Sequence, residues 1–488
     1  MSKKQRTEPE SDRDSIMADT EVSMDIITIN LIYSDEITHY MSPIVTGGGT
    51  SIIPKLLGIG GASRSIACPI TPYSKEATDK LITPPYKDSI IPDFTSYCSE
   101  DISKLLADSS RRISLELFLK KTLDFKQVSA ANIIGISCSS SIKSVSDRPG
   151  RKYNCYVTVQ TNNYTRTVHL ELGESFERSE QEKFCSQLIL NMIDVATVSI
   201  NPIDSFLQLE PIINREVVDF RINNISDILL PNKDHIDQLL DQKIKMSLIV
   251  FGNDTSDKIF SNILLPEGTL VIPGSYNPFH IGHYELAVAA FKKNIQNGKN
   301  PLVVFEITLS NVDKGIFKNS SEEIQAEIQA LLESGQNDSL RYKDLIKIEI
   351  DRRINIIKEE IKLFDPENIL NYAITVNCAG KFIDKSDIYR NCIFVIGYDT
   401  VTRIIDCKYY KNNIIAMNIA IGKIIDRGCT FLIAGRKSEI KFDVFNQEFW
   451  EQHPELDDDN RTVFEGLTEE EFRNDISSTE IRLQQSTI

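Results

Sequence analysis

The sequence predicts an α/β protein with two domains, of which the second contains a doubly wound parallel sheet. Its 488 residues are too many for one ordinary hydrophobic core, so length alone favours more than one domain. Short apolar runs alternate with helical patterns along both halves of the chain, as in α/β folds. In the second half these runs are continuously apolar, which is typical of parallel strands buried on both faces.

The composition excludes several kinds of partner. Hydrophobic residues make up 41% and charged residues 25% of the chain, and the mean hydropathy is −0.20. No apolar run approaches the roughly 20 residues that a membrane-spanning helix needs, so we expect no membrane partner. The net charge of −16 argues against a nucleic-acid partner but leaves room for a local basic pocket. Whether the chain forms homo-oligomers stays open.

Residues 1–24 are predicted to be a disordered leader, because they mix charges and hold few large apolar side chains. They lack the hydrophobic stretch of a secretory signal. The nine cysteines are odd in number and include no Cys-x-x-Cys pair. This pattern favours reduced thiols and a cytoplasmic location.

Residues 25–200 are predicted to form the first α/β domain. In order, the stretches are SPIVT (strand), TSIIPKLLG (helix), SIACPI (strand), DISKLLADSSRRISLELFLKKTL (helix), and the strands NIIGISC, YVTVQ and TVHLEL. The amphipathic helix SEQEKFCSQLILNMIDVA closes this domain. Residues 201–262, which carry Pro, Asn and Asp among scattered apolar clusters, are interpreted as a connecting segment.

Residues 263–488 are predicted to form the second domain. Its strands are TLVIPGS, PLVVFEITL, YAITVN, CIFVIGYD and CTFLIAG, with helices at YELAVAAFKKNI and between residues 321 and 363. Ligands of such sheets bind at the carboxyl ends of the strands, near the point where the strand order reverses. Glycine-rich or polar positions that follow predicted strands therefore predict one shared cleft; they are Gly274-Ser275, Asn311, Gly397 to Asp399, and Gly435-Arg436.

Two of the six histidines, His280 and His283, lie three positions apart in the stretch VIPGSYNPFHIGHYELAV. A zinc site would need a third and usually a fourth ligand, and the nearby Glu285 completes no zinc-binding pattern, so we predict no metal ligands here. Packed core imidazoles are a second alternative. We favour anion binding, because imidazole donors at a helix N-terminus suit the charge that develops on a phosphate during transfer.

The turn before the histidines has the composition of a phosphate-binding loop. Gly274 and Ser275 allow the backbone to approach a ligand closely, and Asn277 lies in the same turn. Gly282 removes a side chain at the start of the following helix. These four residues are predicted to bind a nucleotide together with the histidines.

The stretch ISSTEIR near the C-terminus is a second candidate for phosphate binding. Ser477, Ser478 and Thr479 are residues that begin helices, and a helix that begins there directs amides and hydroxyls at an anion. Arg482 follows one turn later and can bind phosphate with two hydrogen bonds. An ordinary capped terminal helix is the alternative interpretation.

The two stretches resemble the signatures of the nucleotidylyltransferase superfamily, H-x-G-H and I-S-S-T-x-x-R. This superfamily includes nicotinamide mononucleotide, phosphopantetheine and cytidylyl transferases, and the resemblance implies a Rossmann-like second domain. It also implies a Gly-x-Asp element on the nucleotide sugar or base, matched by Gly397 and Asp399, and a basic residue near the phosphates, matched by Arg436. A helix cap and a surface cation are the alternatives for Asp399 and Arg436.

The resemblance implies a reaction in which an acceptor phosphate attacks the α-phosphate of a nucleoside triphosphate and pyrophosphate leaves. Catalysis would come from positioning and charge stabilisation. His280, His283 and Arg482 would be the catalytic residues, and Mg²⁺ would accompany the triphosphate. ATP is the expected donor, with CTP as an alternative, and a phosphate-bearing small molecule is the expected acceptor.

The first domain resembles the C-terminal domain of competence-damage-inducible (CinA-like) proteins, known as nicotinamide mononucleotide deamidases. Thr46, Gly47, Gly48 and Tyr73 carry the likeness and are candidates for ligand binding, together with the later stretch IGISCSS…DRPGRKYNCYVTV. The bacterial pattern has a nucleophilic serine in Ser-Cys-Thr-Gly-Gly, where this chain reads Ile-Val-Thr-Gly-Gly. An activated hydroxyl needs a base within hydrogen-bond reach, and the lysine of the family's Tyr-Ser-x-x-x-Lys segment is displaced to Lys75.

The order of the two domains is similar to a eukaryotic family labelled cytidylyltransferase-like. Pairing with a deamidase-like domain favours pyridine nucleotides and NAD biosynthesis, with nicotinamide or nicotinate mononucleotide as acceptor. Two alternatives stay open: a nucleotide-binding scaffold without catalysis, and a hydrolase that acts through the first domain.

Overall fold

The computed structural model describes a chain of two compact units. The residues it describes are 25–26, 28–33, 37–83, 94–145, 150–198, 225–231, 234–251, 257–309, 322–334, 339–437 and 442–476. The expected leader and Asn311 lie outside them. The first unit falls within residues 1–84, 90–117 and 130–232, and the second within 85–89, 118–129 and 233–488.

Sixteen strands are found in the described residues. They are β1 (His39–Met41), β2 (Ile44–Thr46), β3 (Asn132–Ser141), β4 (Tyr153–Gln160), β5 (Tyr164–Leu172), β6 (Ile225–Pro231), β7 (Met246–Val250), β8 (Lys258–Ser261), β9 (Leu270–Pro273), β10 (Val303–Thr308), β11 (Tyr372–Asn377), β12 (Ile393–Gly397), β13 (Thr430–Ala434), β14 (Arg436–Lys437), β15 (Phe442–Asp443) and β16 (Phe464–Gly466).

The described helices follow the same chain order. They are α1 (Ile52–Leu57), α2 (Ala62–Ser65), α3 (Lys75–Ile82), α4 (Glu100–Thr122), α5 (Phe125–Ala130), α6 (Arg178–Val198), α7 (His235–Leu240), α8 (Ile281–Gln296), α9 (Glu322–Ser334), α10 (Ser339–Phe364), α11 (Phe382–Ile388), α12 (Tyr398–Ile404), α13 (Ile414–Asp426), α14 (Gln447–Gln452) and α15 (Asp458–Arg461). A 3₁₀ turn, Cys407–Tyr410, precedes α13.

The first unit is built on a mixed sheet. Its strand order is β1-β3-β4-β5-β6, and β2 also pairs with β3. The strands β1 and β2 run parallel to β3, whereas β3 to β6 are antiparallel. The stretch SIACPI, which we expected to be a strand, makes only the isolated bridges Met41 to Ile66 and Ile44 to Ile70. That prediction was wrong because only Ile66 and Ile70 of this stretch pair with the sheet, and residues 67–69 between them form no strand.

Helices cover the first sheet. The apolar side of α6 belongs to one core cluster with β3 and β4, which includes Cys138, Val157 and Ile189. At Gly135 of β3 the sheet also approaches α4, so closely that a Cβ there would lie 2.2 Å from the carbonyl oxygen of Ala107. A glycine is therefore required at this helix–sheet contact.

The second unit contains the predicted doubly wound parallel sheet, which is confirmed. Its strand order is β16-β13-β12-β9-β10-β11-β7-β8. The six strands from β16 to β11 are parallel, and β7 and β8 extend the sheet as antiparallel strands. From β9 the chain moves outward through β10 and β11, then returns to the other side of β9 with β12 and β13. The strand order therefore reverses between β9 and β12, where such sheets bind ligands.

Both faces of this sheet are covered. Phe305 and Val395 pack in the core that α8 and α10 share, whereas Phe394 and Phe431 contact Phe382 of α11 on the opposite face. Neighbouring residues of β12 thus point to different sides, as the two-residue period of a strand requires. This explains why most positions of the strands in this half are apolar.

A buried polar network lies under the carboxyl ends of β10 and β11. Lys385 of α11 places its Nζ 2.5 Å from both carboxylate oxygens of Glu306. Asn377 donates to Glu306 Oε1 at 2.6 Å and to the hydroxyl of Tyr389 at 2.8 Å. These four side chains are all buried. Because each polar group has a partner, the network fixes the strand ends without leaving a charge uncompensated.

The segment that we interpreted as a connection, residues 201–262, supplies strands to both units. The strand β6 pairs with β5 in the first sheet. The strands β7 and β8 form a hairpin at the edge of the second sheet. Among the described helices, none is both long and apolar enough to cross a membrane.

Candidate active site

The two motif histidines lie at the start of α8, beside the point where the strand order reverses. His280 is the N-cap residue, and its Nδ1 accepts a hydrogen bond from the backbone N–H of Gly282 at 3.2 Å. His283 Nδ1 accepts in turn from the backbone N–H of His280 at 3.2 Å. The ring centroids of the two histidines are 3.8 Å apart. Histidine side chains thus cap this helix in the way that serine and glutamate do elsewhere.

These hydrogen bonds and the surrounding burial fix the state of both imidazoles. Burial lowers the pKa of His280 to about 4 and that of His283 to about 3, and His280 contributes a smaller share of the latter shift. Both rings are therefore neutral at pH 7. Since Nδ1 of each ring accepts an N–H, the proton of each neutral ring is assigned to Nε2. The pair consequently presents two N–H donors and no positive charge.

Aromatic side chains hold the histidine rings. The Phe279 ring stacks on His283 with centroids 5.3 Å apart, and Tyr276 contacts His283 edge-on at 5.2 Å. Tyr276 and Phe279 are themselves buried against Phe305 of β10. Packing on the sheet thus determines where the imidazoles lie, as preorganised donors require.

The lowered pKa values predict how stability depends on pH. The unfolded chain protonates its histidines below about 6.5, whereas folded His280 and His283 stay neutral down to about 4 and about 3. Unfolding therefore takes up protons in this range, and the free energy of unfolding falls as the pH drops from 6.5 towards 4. We expect a weaker fall in a His280→Gln/His283→Gln variant. Urea unfolding followed by the fluorescence of Trp450 at several pH values measures this; equal pH dependence in both proteins would contradict it.

The described chain just before ISSTEIR lies against the start of α8. A Cβ at Gly282 would be 3.0 Å from Asn474 Oδ1, so the motif glycine makes room for this segment as well as for a ligand. Asn474 Nδ2 donates to Glu285 Oε2 at 2.5 Å, and its Oδ1 accepts from the backbone N–H of Ile476 at 2.8 Å. The C-terminal segment is therefore fixed next to the histidines at residues 474 to 476.

The loops after β12 and β13 meet at the same edge of the sheet. Asp399, in the first turn of α12, forms an ion pair with Arg436 of β14. Lys437, the next residue, is paired with Asp475 at 3.3 Å. Gly397 ends β12. Contacts thus connect Asp399 through β14 to the segment that lies on α8, as one shared cleft requires.

Four of the predicted phosphate-binding residues belong to the part of the chain that the structure does not describe. Ser477, Ser478, Thr479 and Arg482 lie outside the described residues. Across residues 25 to 476, with their gaps, no group of three or more His, Cys, Asp or Glu side chains has the geometry to hold a metal ion.

Sequence reasoning missed the support of the Gly274–Asn277 loop by α10. Arg353 Nη1 donates to the carbonyl oxygen of Ser275 at 3.1 Å, and Arg352 Nη2 donates to Asn277 Oδ1 at 2.7 Å. Both guanidinium groups also bond the carboxylate of Glu349. The spacing of Glu349 and Arg353, four residues apart in IEIDRRI, indicates an ion pair on a helix but does not indicate which loop it faces.

In the first unit, the glycine-rich turn after β2 binds a side chain of its own chain. Glu182 of α6 accepts hydrogen bonds from the backbone N–H of Gly49 at 2.7 Å and of Ser51 at 2.9 Å. The N–H of Gly48 donates to Ser140 Oγ at 2.5 Å. Of the candidate ligand-binding residues in this turn, Gly48 thus uses its backbone N–H within the protein.

The glycines of this turn also serve packing. Gly47 has a φ of +87°, and a Cβ there would lie 1.9 Å from the carbonyl oxygen of Ser140. Of the other candidates in this unit, Thr46 ends β2 and Tyr73 is exposed in the loop before α3.

Replacing Glu182 by glutamine is expected to lower the stability of the first unit by about 1–3 kcal/mol, because two charge-assisted hydrogen bonds to backbone amides weaken. Hydrogen exchange of residues 44–57 should become faster than in the wild type. Exposed Glu174 provides the control, and Glu174→Gln should leave exchange unchanged. Equal exchange in both variants would show that the Glu182 carboxylate does not hold the turn.

Comparison with known proteins places a family match on the second unit. Residues 271–484 match the family model described as Cytidylyltransferase-like. The match spans the histidine motif, the Gly397–Asp399 element, Arg436 and ISSTEIR. The chain therefore contains a cytidylyltransferase-like domain in its C-terminal half, with a Rossmann-like fold, and this supports nucleotidyltransferase activity.

Other comparisons add little. No curated protein matches the chain. Among solved structures, the competence/damage inducible protein CihA from Agrobacterium tumefaciens is similar at 16% identity, over 35% of this chain and 95% of that chain, with a TM-score of 0.26. A TM-score this low carries no argument about the first unit.

Proposed function

We propose that this protein is a nucleotidylyltransferase that transfers AMP from ATP to the phosphate of nicotinamide or nicotinate mononucleotide and releases pyrophosphate. The observation that supports this most directly is the pair of neutral imidazoles at the first turn of α8, beside the reversal of strand order. A helix N-terminus and two N–H donors suit a phosphate that gains negative charge. The acceptor follows from the resemblance of the first half to mononucleotide deamidases.

In the proposed reaction an oxygen of the acceptor phosphate attacks the α-phosphorus of the triphosphate. A new phosphoanhydride bond forms, the bond from the α-phosphorus to the bridging β-oxygen breaks, and pyrophosphate leaves with the bonding electrons. His280 and His283 donate N–H hydrogen bonds to α-phosphate oxygens as their charge grows. Neutral donors suit this role because they need no proton transfer, and the chemistry rests on position and electrostatics.

The remaining roles are assigned by position. Gly274, Ser275, Asn277 and Gly282 surround the phosphates, and Asp399, beside Gly397, accepts hydrogen bonds from the ribose. Arg436 then exchanges its ion pair with Asp399 for a phosphate. Arg482, with the amides and hydroxyls of the residues Ser477, Ser478 and Thr479, binds the leaving pyrophosphate. The substrate is the Mg²⁺ complex of the triphosphate, so the metal enters with it.

A panel assay tests this proposal. Pyrophosphate release is measured for the full-length protein with ATP or CTP and, in turn, nicotinamide mononucleotide, nicotinate mononucleotide, phosphopantetheine or phosphocholine. Release with ATP and a pyridine mononucleotide supports the proposal. Release with another pair keeps the activity class but corrects the substrates.

Two outcomes of the panel would favour the alternatives. Binding of the triphosphate without turnover by any pair would indicate a scaffold. Ammonia from nicotinamide mononucleotide without pyrophosphate would indicate a hydrolase in the first unit, despite Glu182 occupying the turn where an anion would bind.

A further inference from the structure

The loop before the histidines contacts an arginine whose hydrogen-bonding capacity is incompletely used. Arg352 of α10 bonds Asn277 Oδ1 through Nη2, and bonds Glu349 through Nε and Nη2 at 2.9 and 2.8 Å. Within the described part of the chain, its Nη1 makes no hydrogen bond. The Arg352 side chain is 32% exposed, compared with 4% for the neighbouring Arg353. One edge of the guanidinium group therefore faces solvent next to the motif loop.

The charge of Arg352 is not neutralised in full by its neighbours. Glu349 is completely buried and shares its carboxylate between Arg352 and Arg353. Burial raises the pKa of Glu349, but the two guanidinium groups outweigh burial and lower it, so the carboxylate is ionised. One negative charge shared by two positive charges leaves a positive potential at the more exposed arginine. Fixed in place by Glu349 and Asn277, Arg352 presents its Nη1 and its positive charge as a preorganised donor to an anion.

The position of α10 indicates which phosphate this arginine reaches. The helix connects β10 to β11, on one side of the strand reversal, whereas Arg436 and Lys437 lie on the β12–β13 side. Attack on the α-phosphorus places the attacking and leaving oxygens on opposite sides of it. Arg436, assigned above to a phosphate of the triphosphate, lies on the β12–β13 side. We therefore place the leaving pyrophosphate on that side and the approaching acceptor on the side of β10. Asn277 and His280 are three positions apart in the sequence, so their Cα atoms are at most about 11 Å apart.

We propose that Arg352 binds the phosphate monoester of the acceptor and thereby selects acceptors that carry a dianionic phosphate. The proposal rests on the proposed nucleotidylyl transfer and extends it to the second substrate. Arg353, which is buried against Ser275, acts as a positioning residue for the loop.

Steady-state kinetics of the full-length protein with ATP and nicotinamide mononucleotide tests the assignment. Arg352→Ala is expected to raise KM for the mononucleotide by about 10- to 100-fold. This range corresponds to the binding free energy that hydrogen bonds to a charged group contribute. KM for ATP should stay within about threefold of the wild type, because the substitution removes a contact to the acceptor only. An equal rise of both KM values would instead indicate that the Gly274–Asn277 loop has lost its position. Arg352→Lys keeps the charge without the planar fork and should recover part of the affinity.

Arg341→Ala is the matched control, since Arg341 lies on the same helix and pairs with Glu327 on the surface; its KM values should equal those of the wild type. The proposal is overturned if Arg352→Ala leaves KM for the mononucleotide unchanged, or if it raises both KM values equally and lowers the thermal midpoint. Wild-type protein that releases pyrophosphate only with a different acceptor class overturns the mononucleotide as ligand. Failure of the proposed function is a separate result: the wild type then releases no pyrophosphate with any pair of the panel.

Discussion

Replacing His283 by alanine is expected to lower kcat for pyrophosphate release by about 100- to 1,000-fold, the effect of removing one preorganised donor to a developing charge. His283 lies in the first turn of α8, neutral and stacked on Phe279. Its Nε2–H is assigned to an α-phosphate oxygen, which gains negative charge only during transfer. The loss should therefore appear in kcat more than in KM for ATP.

Two further variants separate catalysis from helix capping. His283→Asn retains a side-chain acceptor for the backbone N–H of His280 but cannot place an N–H where Nε2 lies, so it should lose as much activity as His283→Ala. His453→Ala, at the end of α14, should keep wild-type kcat. Full activity in His283→Asn would show that the histidine serves only the helix end.

Replacing Lys385 by alanine is expected to lower the free energy of unfolding of the second unit by about 3–5 kcal/mol, the cost of leaving a buried charge without its partner. Glu306 is fully buried, and in the described part of the chain its carboxylate is paired with the ammonium group of Lys385. Asn377 remains as a hydrogen-bond donor, but a neutral amide does not balance a carboxylate. Trp450 is the single tryptophan of the chain and lies in this unit, so its fluorescence during urea unfolding provides the measurement.

The control for this variant is a lysine in an exposed ion pair. Lys243 pairs with Asp241 at the surface, and Lys243→Ala should change stability by less than about 1 kcal/mol. A double variant, Lys385→Met with Glu306→Gln, removes both charges and should be more stable than Lys385→Ala alone. Equal stability of Lys385→Ala and Lys243→Ala would mean that the pair contributes nothing.

The sequence predicted those parts of the molecule that depend on local pattern. Continuous apolar runs gave the parallel strands, because strands buried on both faces cannot alternate. The turn at Gly274 and the cap at His280 follow a strand and open a helix, so their place at the strand ends could be derived without knowing the partners. The edge strands β7 and β8 were missed since their segment shows no clear period.

The partners of the site residues could not be predicted, because they are chosen by tertiary packing. Glu182 lies 133 residues from Gly49 in the sequence, and Asn474 lies 189 residues from Glu285. Nothing local in the turn after β2 distinguishes a bound ligand from a carboxylate of α6. The sequence likewise indicates only that Arg352 is an exposed charge on a helix. Its hydrogen bond to Asn277 of the motif loop is established by the tertiary structure.

The division of the second unit along the chain affects how the protein is made. This unit takes residues 118–129 from the first part of the sequence, and Asn371 bonds the carbonyl oxygen of Leu123 and the backbone N–H of Phe125. Their partner is synthesised 246 to 248 residues later. At a ribosomal rate of about 5–20 residues per second, α5 waits for tens of seconds at the slower limit before it can dock. A recombinant fragment that begins at residue 263 would lack this helix, together with β7 and β8.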